Sequence, residues 1–125
     1  MSKVNVSLLE GLGKRFVNHA IALAASNNQI DIVQYLVDIG VRYYFYESLH
    51  EAVLNGHAEM TELLFSLHTF KQHEYDSELV HASKMGHIEI VRQLLNNTAS
   101  SYRKSIKKAR ENDHSDIVRL LESYI

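Results

Sequence analysis

Histidine is the residue type in this chain with the widest capacity for chemistry, since imidazole binds metal ions and transfers protons near neutral pH. The chain has 125 residues, of which eight are histidine and none is cysteine. His57, His87 and His114 each follow a turn-type residue at the same position of a repeated pattern, and His50 and His81 precede those turns. Repetition therefore accounts for most of the histidines without a catalytic role.

The remaining histidine spacings do not match a known reaction centre. His57 and Glu59 have the histidine and glutamate spacing of zinc deaminases, but the paired cysteines of that signature are absent. His68 and His73 are five residues apart, which does not place them on one helix face. The sequence contains no zincin motif, phosphate-binding glycine loop or nucleophile elbow. We therefore predict no enzymatic activity, no cofactor and no metal ion.

The elements that position these side chains come from an internal repeat. Four copies, each starting at an alanine, span Ala24–Val37, Ala52–Phe65, Ala82–Leu95 and Ala109–Glu122. The alanines are 28, 30 and 27 residues apart. Self-similarity with a period of this size is typical of a stacked array of small units.

Each copy predicts two helices joined by a tight turn. Counting from Gln29, His57, His87 and His114, apolar residues recur at the third position (Ile32, Met60, Ile90, Ile117) and the seventh (Leu36, Leu64, Leu94, Leu121). These offsets fall on one stripe of a helix. A shorter helical pattern precedes each copy, with Ile21, Leu49, Leu79 and Ile106 three residues before the alanine. Gly56 and Gly86 supply the left-handed turn residue, which Asn28 and Asp113 replace in the outer copies.

These patterns resemble ankyrin repeats. Leu49–Ala52 match the family's "leucine, histidine, any, alanine" element, and Gly56–Phe65 and Gly86–Leu95 match its "glycine, histidine, any, any, isoleucine, valine, any, any, leucine, leucine" element. The resemblance implies an all-α helix-turn-helix solenoid whose repeated histidines hydrogen-bond turns and neighbouring repeats together. The chain departs from the family in having no proline. Its copies are also roughly three to six residues shorter than the usual length of about 33, so we expect shortened hairpin loops.

We predict one ankyrin-like domain over residues 1–125, with repeats at about 14–42, 43–71, 72–99 and 100–125. Residues 1–13 add a half repeat without its first helix, because Leu9 precedes Ile21 by 12 residues, just as Val37 precedes Leu49. This segment is a native cap, the end of an array that continued upstream, or an independent capping helix. Glu122 replaces an apolar residue, as expected of a terminal repeat.

Composition favours one folded domain without a strong global charge. Hydrophobic residues make up 46% of the chain, and its net charge of −2 gives no broad attraction to nucleic acid or to an anionic membrane. No segment approaches the roughly 20 apolar residues of a membrane span. The lack of cysteine excludes disulfides and weakly favours the cytoplasm. The resemblance adds two candidate origins, because ankyrin proteins are common among secreted factors of intracellular bacteria and among proteins of large viruses. A secreted factor would act in the host cytoplasm.

The resemblance also implies binding of a partner protein, as a scaffold, adaptor or inhibitor, through the concave groove and the loop edge. The predicted contact residues are Tyr43, Tyr44, Phe45, Tyr46, Leu54, Asn55, Lys84 and Met85. The first four form an aromatic run that we place in a loop, where tyrosine offers large contact area at small entropic cost. In an extended segment they cannot all point one way, so inward packing of alternate rings is an equal alternative. The other four precede turns, where side chains face the groove.

A basic cluster near the end of the chain supports an alternative function. Its members are Arg103, Lys104, Lys107, Lys108 and Arg110. They could bind phosphate backbones, or they could form one solvated helix face with Ile106 and Ala109 turned inward. We favour the solvated face, with an acidic protein as a better candidate ligand than nucleic acid. A third alternative is a structural module that is monomeric or weakly dimeric through the N-terminal half repeat.

Overall fold

The computed structural model describes residues 14–42, 44–97 and 99–125, with side chains from residue 19 onward. Within these ranges the chain forms eight α-helices and no strand. The helices are α1 (Lys14–Ser26), α2 (Ile30–Asp38), α3 (Phe45–Leu54), α4 (Ala58–Leu67), α5 (Gln72–Met85), α6 (Ile88–Asn96), α7 (Tyr102–Glu111) and α8 (Ser115–Glu122). The all-α prediction is confirmed. The half repeat predicted at residues 1–13 lies outside the described residues, as does Tyr43.

The helices form four helix-turn-helix units that stack in two layers. Within each unit the first helix packs on the second, α1 on α2 and so on to α7 on α8. The first helices form one layer and the second helices form the other. Contacts within the layer of first helices are more extensive. The stack therefore curves toward the first helices, and their outer surface is concave.

The core repeats the same positions from unit to unit. The alanines that define the repeat are at most 2% exposed in all four units: Ala24, Ala52, Ala82 and Ala109. Small side chains at these positions let the two helices of a unit approach closely. The apolar residues at the seventh position of the second helix are fully buried in the last three units: Leu64, Leu94 and Leu121. The predicted helix stripe is therefore the packing face of those units.

The first unit departs from this pattern at Ile32, which is 44% exposed although we predicted it to face the core. The Gln93 side chain of α6 bonds to Thr61 and to the Ala58 carbonyl of α4, so the sixth position of a second helix faces the preceding unit. The third position lies on the same side. No second helix precedes α2 among the described residues, so Ile32 has no such neighbour there. Val33, at the position of Thr61, faces the next unit and is fully buried.

The turns within the units hold one residue in the left-handed region, as predicted. The φ angles are 55° at Asn28, 72° at Gly56, 82° at Gly86 and 62° at Asp113. The glycines meet a second requirement that the sequence pattern did not predict. A Cβ at Gly56 would lie 2.7 Å from Cε1 of His87, because the histidine of the next unit packs against the turn. Gly86 and His114 repeat this contact at 2.6 Å.

The repeated histidines join each unit to the unit before it. In successive units, Nε2 of His57 lies 2.7 Å from the Ser26 carbonyl oxygen, Nε2 of His87 3.4 Å from that of Leu54, and Nε2 of His114 3.1 Å from that of Lys84. These carbonyls belong to the last turn of the first helices, where backbone oxygens have no partner within the helix. The structural role that the family resemblance implied for these histidines is confirmed.

The connections between units are short. They span residues 39–44, 68–71 and 97–101, and the described residues in them form no strand, so the projecting hairpins are reduced to loops as predicted. None of the described helices is both long enough and apolar enough to cross a membrane.

Replacing Gly56 with alanine is expected to lower the free energy of unfolding more than replacing Gly40 does. Both residues have positive φ, 72° and 99°, and this conformation costs an L-residue about 1–2 kcal/mol. No described atom lies within 4 Å of a Cβ at Gly40, whereas a Cβ at Gly56 meets His87. Urea denaturation of the two variants measures the difference. Equal losses would show that the histidine yields without cost.

Candidate partner-binding face

The concave surface of the first helices is built from three positions that recur in each unit. They lie five residues and one residue before the repeated alanine and two residues after it, a spacing that puts them on one side of the helix. We call this surface the groove face. It comprises His19, Leu23 and Ser26 of α1, Glu47, Glu51 and Leu54 of α3, Ser77, His81 and Lys84 of α5, and Lys104, Lys108 and Glu111 of α7.

Two cavities open along the groove face. The first lies between α1 and α3, has a volume of about 380 Å³, and is lined by residues that include Leu23, Glu47 and Glu51. The second lies between α5 and α7, has a volume of about 440 Å³, and is lined by residues that include His81, Lys84, Lys104 and Lys108. Cavities of this size can receive side chains of another molecule.

Charge is divided along the groove face. In the first cavity, two glutamates flank Leu23, whose side chain is 63% exposed. In the second cavity, three lysines line the wall together with one acidic residue, Asp76, which accepts a hydrogen bond from the Ser100 backbone. The net charge of the whole chain is −2, so this separation is a local property of the surface. The first two units supply an acidic half that also exposes an apolar residue, and the last two units supply a basic half.

The residues predicted to face the groove before the turns differ in accessibility. Lys84 is exposed, and Met85 is 45% exposed. Leu54 is half-buried, and its carbonyl oxygen accepts the bond from His87. Met85 and Lys84 are therefore the more accessible of these candidates.

Asn55, the fourth residue of that set, has a structural role that we did not predict. Its side-chain amide donates to the Glu51 carbonyl oxygen at 2.8 Å. Asn27 and Asn112 occupy the same position in their units and donate to the carbonyl four residues earlier at 2.9 and 2.8 Å. These amides satisfy backbone oxygens at the end of the first helix. Met85 takes the place of the asparagine in the third unit.

Phe45 and Tyr46 do not lie in a loop as predicted, because α3 begins at Phe45. Tyr44 precedes the helix with φ of 55° and is 57% exposed. Phe45 is 6% exposed and stacks on His68 with ring centroids 5.0 Å apart, so it is not accessible to a partner as we had predicted. Tyr46 is half-buried. Tyr44 lies before the helix and is exposed, whereas Phe45 and Tyr46 lie in the first turn of α3 and pack against the core.

A buried carboxylate joins the second and third units beside the groove face. Glu78 of α5 is completely buried. The Tyr46 hydroxyl donates to its Oε2 at 2.9 Å, and Nδ1 of His50 lies 3.0 and 3.1 Å from its two oxygens. Nδ1 of His81 is 3.8 Å from Oε2. A buried charge is costly without such partners, so the network stabilises the carboxylate and links α3 to α5.

Sequence analysis missed Glu78 because its contacts occur in one place along the chain. The equivalent residues Ser48 and Ser105 are also buried, so the position belongs to the interior of three units. A glutamate where two other units have serine was the available signal. A search for periodicity emphasises the residues that the copies share, so it overlooks a difference that occurs in one copy.

The basic cluster forms a solvated face, in agreement with the interpretation that we favoured. Arg103, Lys104, Lys107 and Arg110 are exposed. Lys108 is half-buried, and its Nζ lies 3.7 Å from Oε2 of Glu111. Ile106 and Ala109 are buried, as expected. Two members of the cluster, Lys104 and Lys108, belong to the groove face and give its second half most of its charge.

Stability at alkaline pH is expected to depend on Tyr46. Burial raises the pKa of its phenol above 10.0, and the nearby Glu78 carboxylate raises it further, while a hydrogen bond with Ser77 acts in the opposite direction. Since the pKa is higher in the folded state, the stabilisation is complete below pH 10.0 and is lost as the pH rises through the raised value. Urea unfolding should therefore become easier above pH 10.0.

The Tyr46→Phe variant removes this dependence, so its free energy of unfolding should fall less steeply over the same pH range. Tyr44→Phe is the matched control, because Tyr44 is exposed, and it should keep the wild-type slope. A Tyr46→Phe slope equal to that of the wild type would contradict the assignment.

Comparison with protein families agrees with this geometry. A family model described as ankyrin repeats, in three copies, matches residues 49–124, which is more than half of the chain. No curated protein matches the chain. The match begins within α3, and the helix pair α1 and α2 adds a further unit of the same form ahead of it. The chain belongs to the ankyrin repeat family.

Proposed function

We propose that this protein binds a partner protein on its groove face and at the adjoining loop edge beside Tyr44. Ankyrin repeats are non-enzymatic protein-binding modules. Stacked units present a surface that is already formed, so binding orders little additional backbone. The observation that carries the proposal is Met85, which borders the groove face and is an apolar side chain with 45% exposure where other units have a helix-capping asparagine. It lies next to Lys84 at the edge of the basic half.

The predicted contact residues have different tasks in this proposal. Met85 and the accessible part of Leu54 contribute apolar contact, and Lys84 contributes charge. Tyr44 offers an exposed ring at the loop edge. The amide nitrogen of Asn55 caps the end of α3, so we assign contact with the partner to its side-chain oxygen. Phe45 and Tyr46 support this surface from inside the stack, and Tyr43 stays a prediction.

The divided charge specifies the chemistry of the partner. An acidic segment would be attracted to the lysines of the second cavity, and a basic or apolar segment to the glutamates and Leu23 of the first. Such complementarity gives specificity and orientation. A standard interface takes about 800 Å² from each partner, which four units can supply. We propose that the protein acts as a scaffold, adaptor or inhibitor in the cytoplasm, including that of a host cell.

Nucleic acid is the second candidate ligand, because Arg103, Lys104, Lys107 and Arg110 are all exposed on α7. We favour a protein with an acidic segment, since a protein can place a basic or apolar segment opposite Glu47 and Glu51 on the same groove face, whereas a phosphate backbone is negative along its whole length. Fluorescence anisotropy with mixed DNA and RNA separates the two. Phosphate-backbone binding weakens steeply with salt, so binding that is absent at low salt eliminates nucleic acid.

Self-association through the half repeat at residues 1–13 is the third candidate. Sedimentation velocity over a wide range of protein concentrations tests it. A monomer throughout eliminates this function, and a concentration-dependent dimer supports it.

Affinity capture with mass spectrometry tests the main proposal. The groove variant combines Tyr44→Ser, Leu54→Gln, Lys84→Glu and Met85→Gln. It is expected to capture at least about tenfold less partner than the wild type does. A tenfold loss of affinity corresponds to about 1.4 kcal/mol, and truncating several central contacts costs more than that. Helicity and the unfolding midpoint should change little, since these residues are wholly or partly exposed.

The matched control carries Glu62→Gln, Glu89→Gln and Arg92→Gln, all exposed residues of the second helices. This variant should capture the partner as the wild type does. Equal capture by the groove variant, or loss in the control, would contradict the proposed surface.

A further inference from the structure

Metal-binding atoms of three side chains converge between the second and third units. One nitrogen each of His50 and His81 and one oxygen of Glu78 all lie within 4.8 Å of one another. Nδ1 of His50 is 3.0 Å from Oε1 of Glu78, and Nδ1 of His81 is 3.8 Å from Oε2. We propose that His50, Glu78 and His81 form a binding site for a divalent metal ion of the zinc class, bridging α3 and α5. This site revises our prediction that the chain binds no metal, and it does not depend on the proposed partner.

The backbone holds these ligands in place before any ion arrives. Glu78 and His81 are three residues apart on α5, which puts them on one face of that helix. His50 comes from α3, which packs directly on α5. Ligands on rigid elements need little rearrangement to reach a metal.

The environment of the three ligands suits an ion that enters from water. Glu78 is completely buried, so its negative charge benefits from a cation at close range. The imidazoles of His50 and His81 are 35% and 39% exposed. Three protein ligands with access to solvent leave a coordination position for water, as in zinc sites that are not closed by a fourth side chain.

Neighbouring groups would orient the ligands. The Tyr46 hydroxyl donates to Oε2 of Glu78. Nδ1 of His81 lies 2.9 Å from the Ser77 carbonyl oxygen and 3.8 Å from Oε2 of Glu78, so binding a metal through this nitrogen exchanges the hydrogen bond to Ser77 for a bond to the metal. When His50 binds through Nδ1, the proton that it shares with Glu78 leaves to solvent, and the nitrogen lone pair takes its place at the metal.

The ligand set selects the kind of metal. Two imidazoles and one carboxylate suit Zn²⁺ and its neighbours in the first transition row, whereas Mg²⁺ and Ca²⁺ prefer oxygen ligands. Lys84, Lys104 and Lys108 line the same cavity as His81, and their charge opposes weakly held cations. We therefore expect Zn²⁺ to bind and Mg²⁺ not to compete.

Zinc titration of the full chain without a polyhistidine tag tests the site. Competition with a chromogenic chelator gives the affinity, and calorimetry gives the stoichiometry, for which we expect one Zn²⁺ per chain. His50→Gln and His81→Gln should each weaken binding at least tenfold. Tyr46→Phe, which removes an outer-shell hydrogen bond, should weaken it by about 10-fold to 100-fold.

His73→Gln is the matched control, because His73 is an exposed histidine of α5 outside the cluster. It should bind Zn²⁺ as the wild type does. Circular dichroism without metal shows whether each variant is folded. No binding by the wild type, or equal affinity in the His50, His81 and His73 variants, would overturn the proposal.

A measurement on the unmodified protein decides the case in which the ligand variants do not fold. With Co²⁺ as the probe, the wild type should show the visible absorption of a four-coordinate or five-coordinate ion, and one equivalent of Zn²⁺ should remove it. A weak spectrum like that of hydrated Co²⁺ would overturn the site.

Discussion

The stack depends on a constraint that each unit shares: its helix pair has two apolar sides, and neighbouring units must cover them. Within α2, Val33 faces the described neighbouring unit and is buried. Ile32 faces the side that has no described neighbour and is exposed. Burial of apolar area at each junction supplies most of the stabilisation. The fold is thus a series of similar junctions whose buried residues join into one continuous core along the stack.

Apolar contacts alone do not fix how neighbouring units align, and polar contacts set this register. Each repeated histidine reaches the end of the preceding first helix and packs on a turn that, at Gly56 and Gly86, has no room for a side chain. The first helices are therefore held at regular intervals with equivalent residues aligned. That alignment turns scattered glutamates and lysines of the sequence into the two halves of the groove face. Regular spacing, more than any single residue, makes this surface available for recognition.

Repetition also determined how much could be predicted from the sequence. The buried alanines, the left-handed turns and the histidine contacts recur in most units, so their pattern was visible without a structure. Phe45 was placed in a loop because the proline that usually marks the start of the first helix in this family is absent, and no other repeated residue marks that start. Contacts made once were invisible: Tyr46 and Glu78 are 32 residues apart, and no other pair of units repeats their hydrogen bond within the part of the chain that the structure describes. Ile32 was predicted to be buried because periodicity does not indicate which unit lacks a neighbour.

Carboxyl footprinting of the chain with its captured partner tests the central claim most directly. It compares residues of one type on the two faces: Glu47 and Glu51 on the groove face, and Glu62 and Glu89 on the second helices, all wholly or partly exposed. If the groove face binds the partner, labelling of Glu47 and Glu51 falls several-fold in the complex while Glu62 and Glu89 label as in the free protein. Protection of Glu62 and Glu89 with unchanged labelling of Glu47 and Glu51 would place the partner on the opposite face and contradict the account.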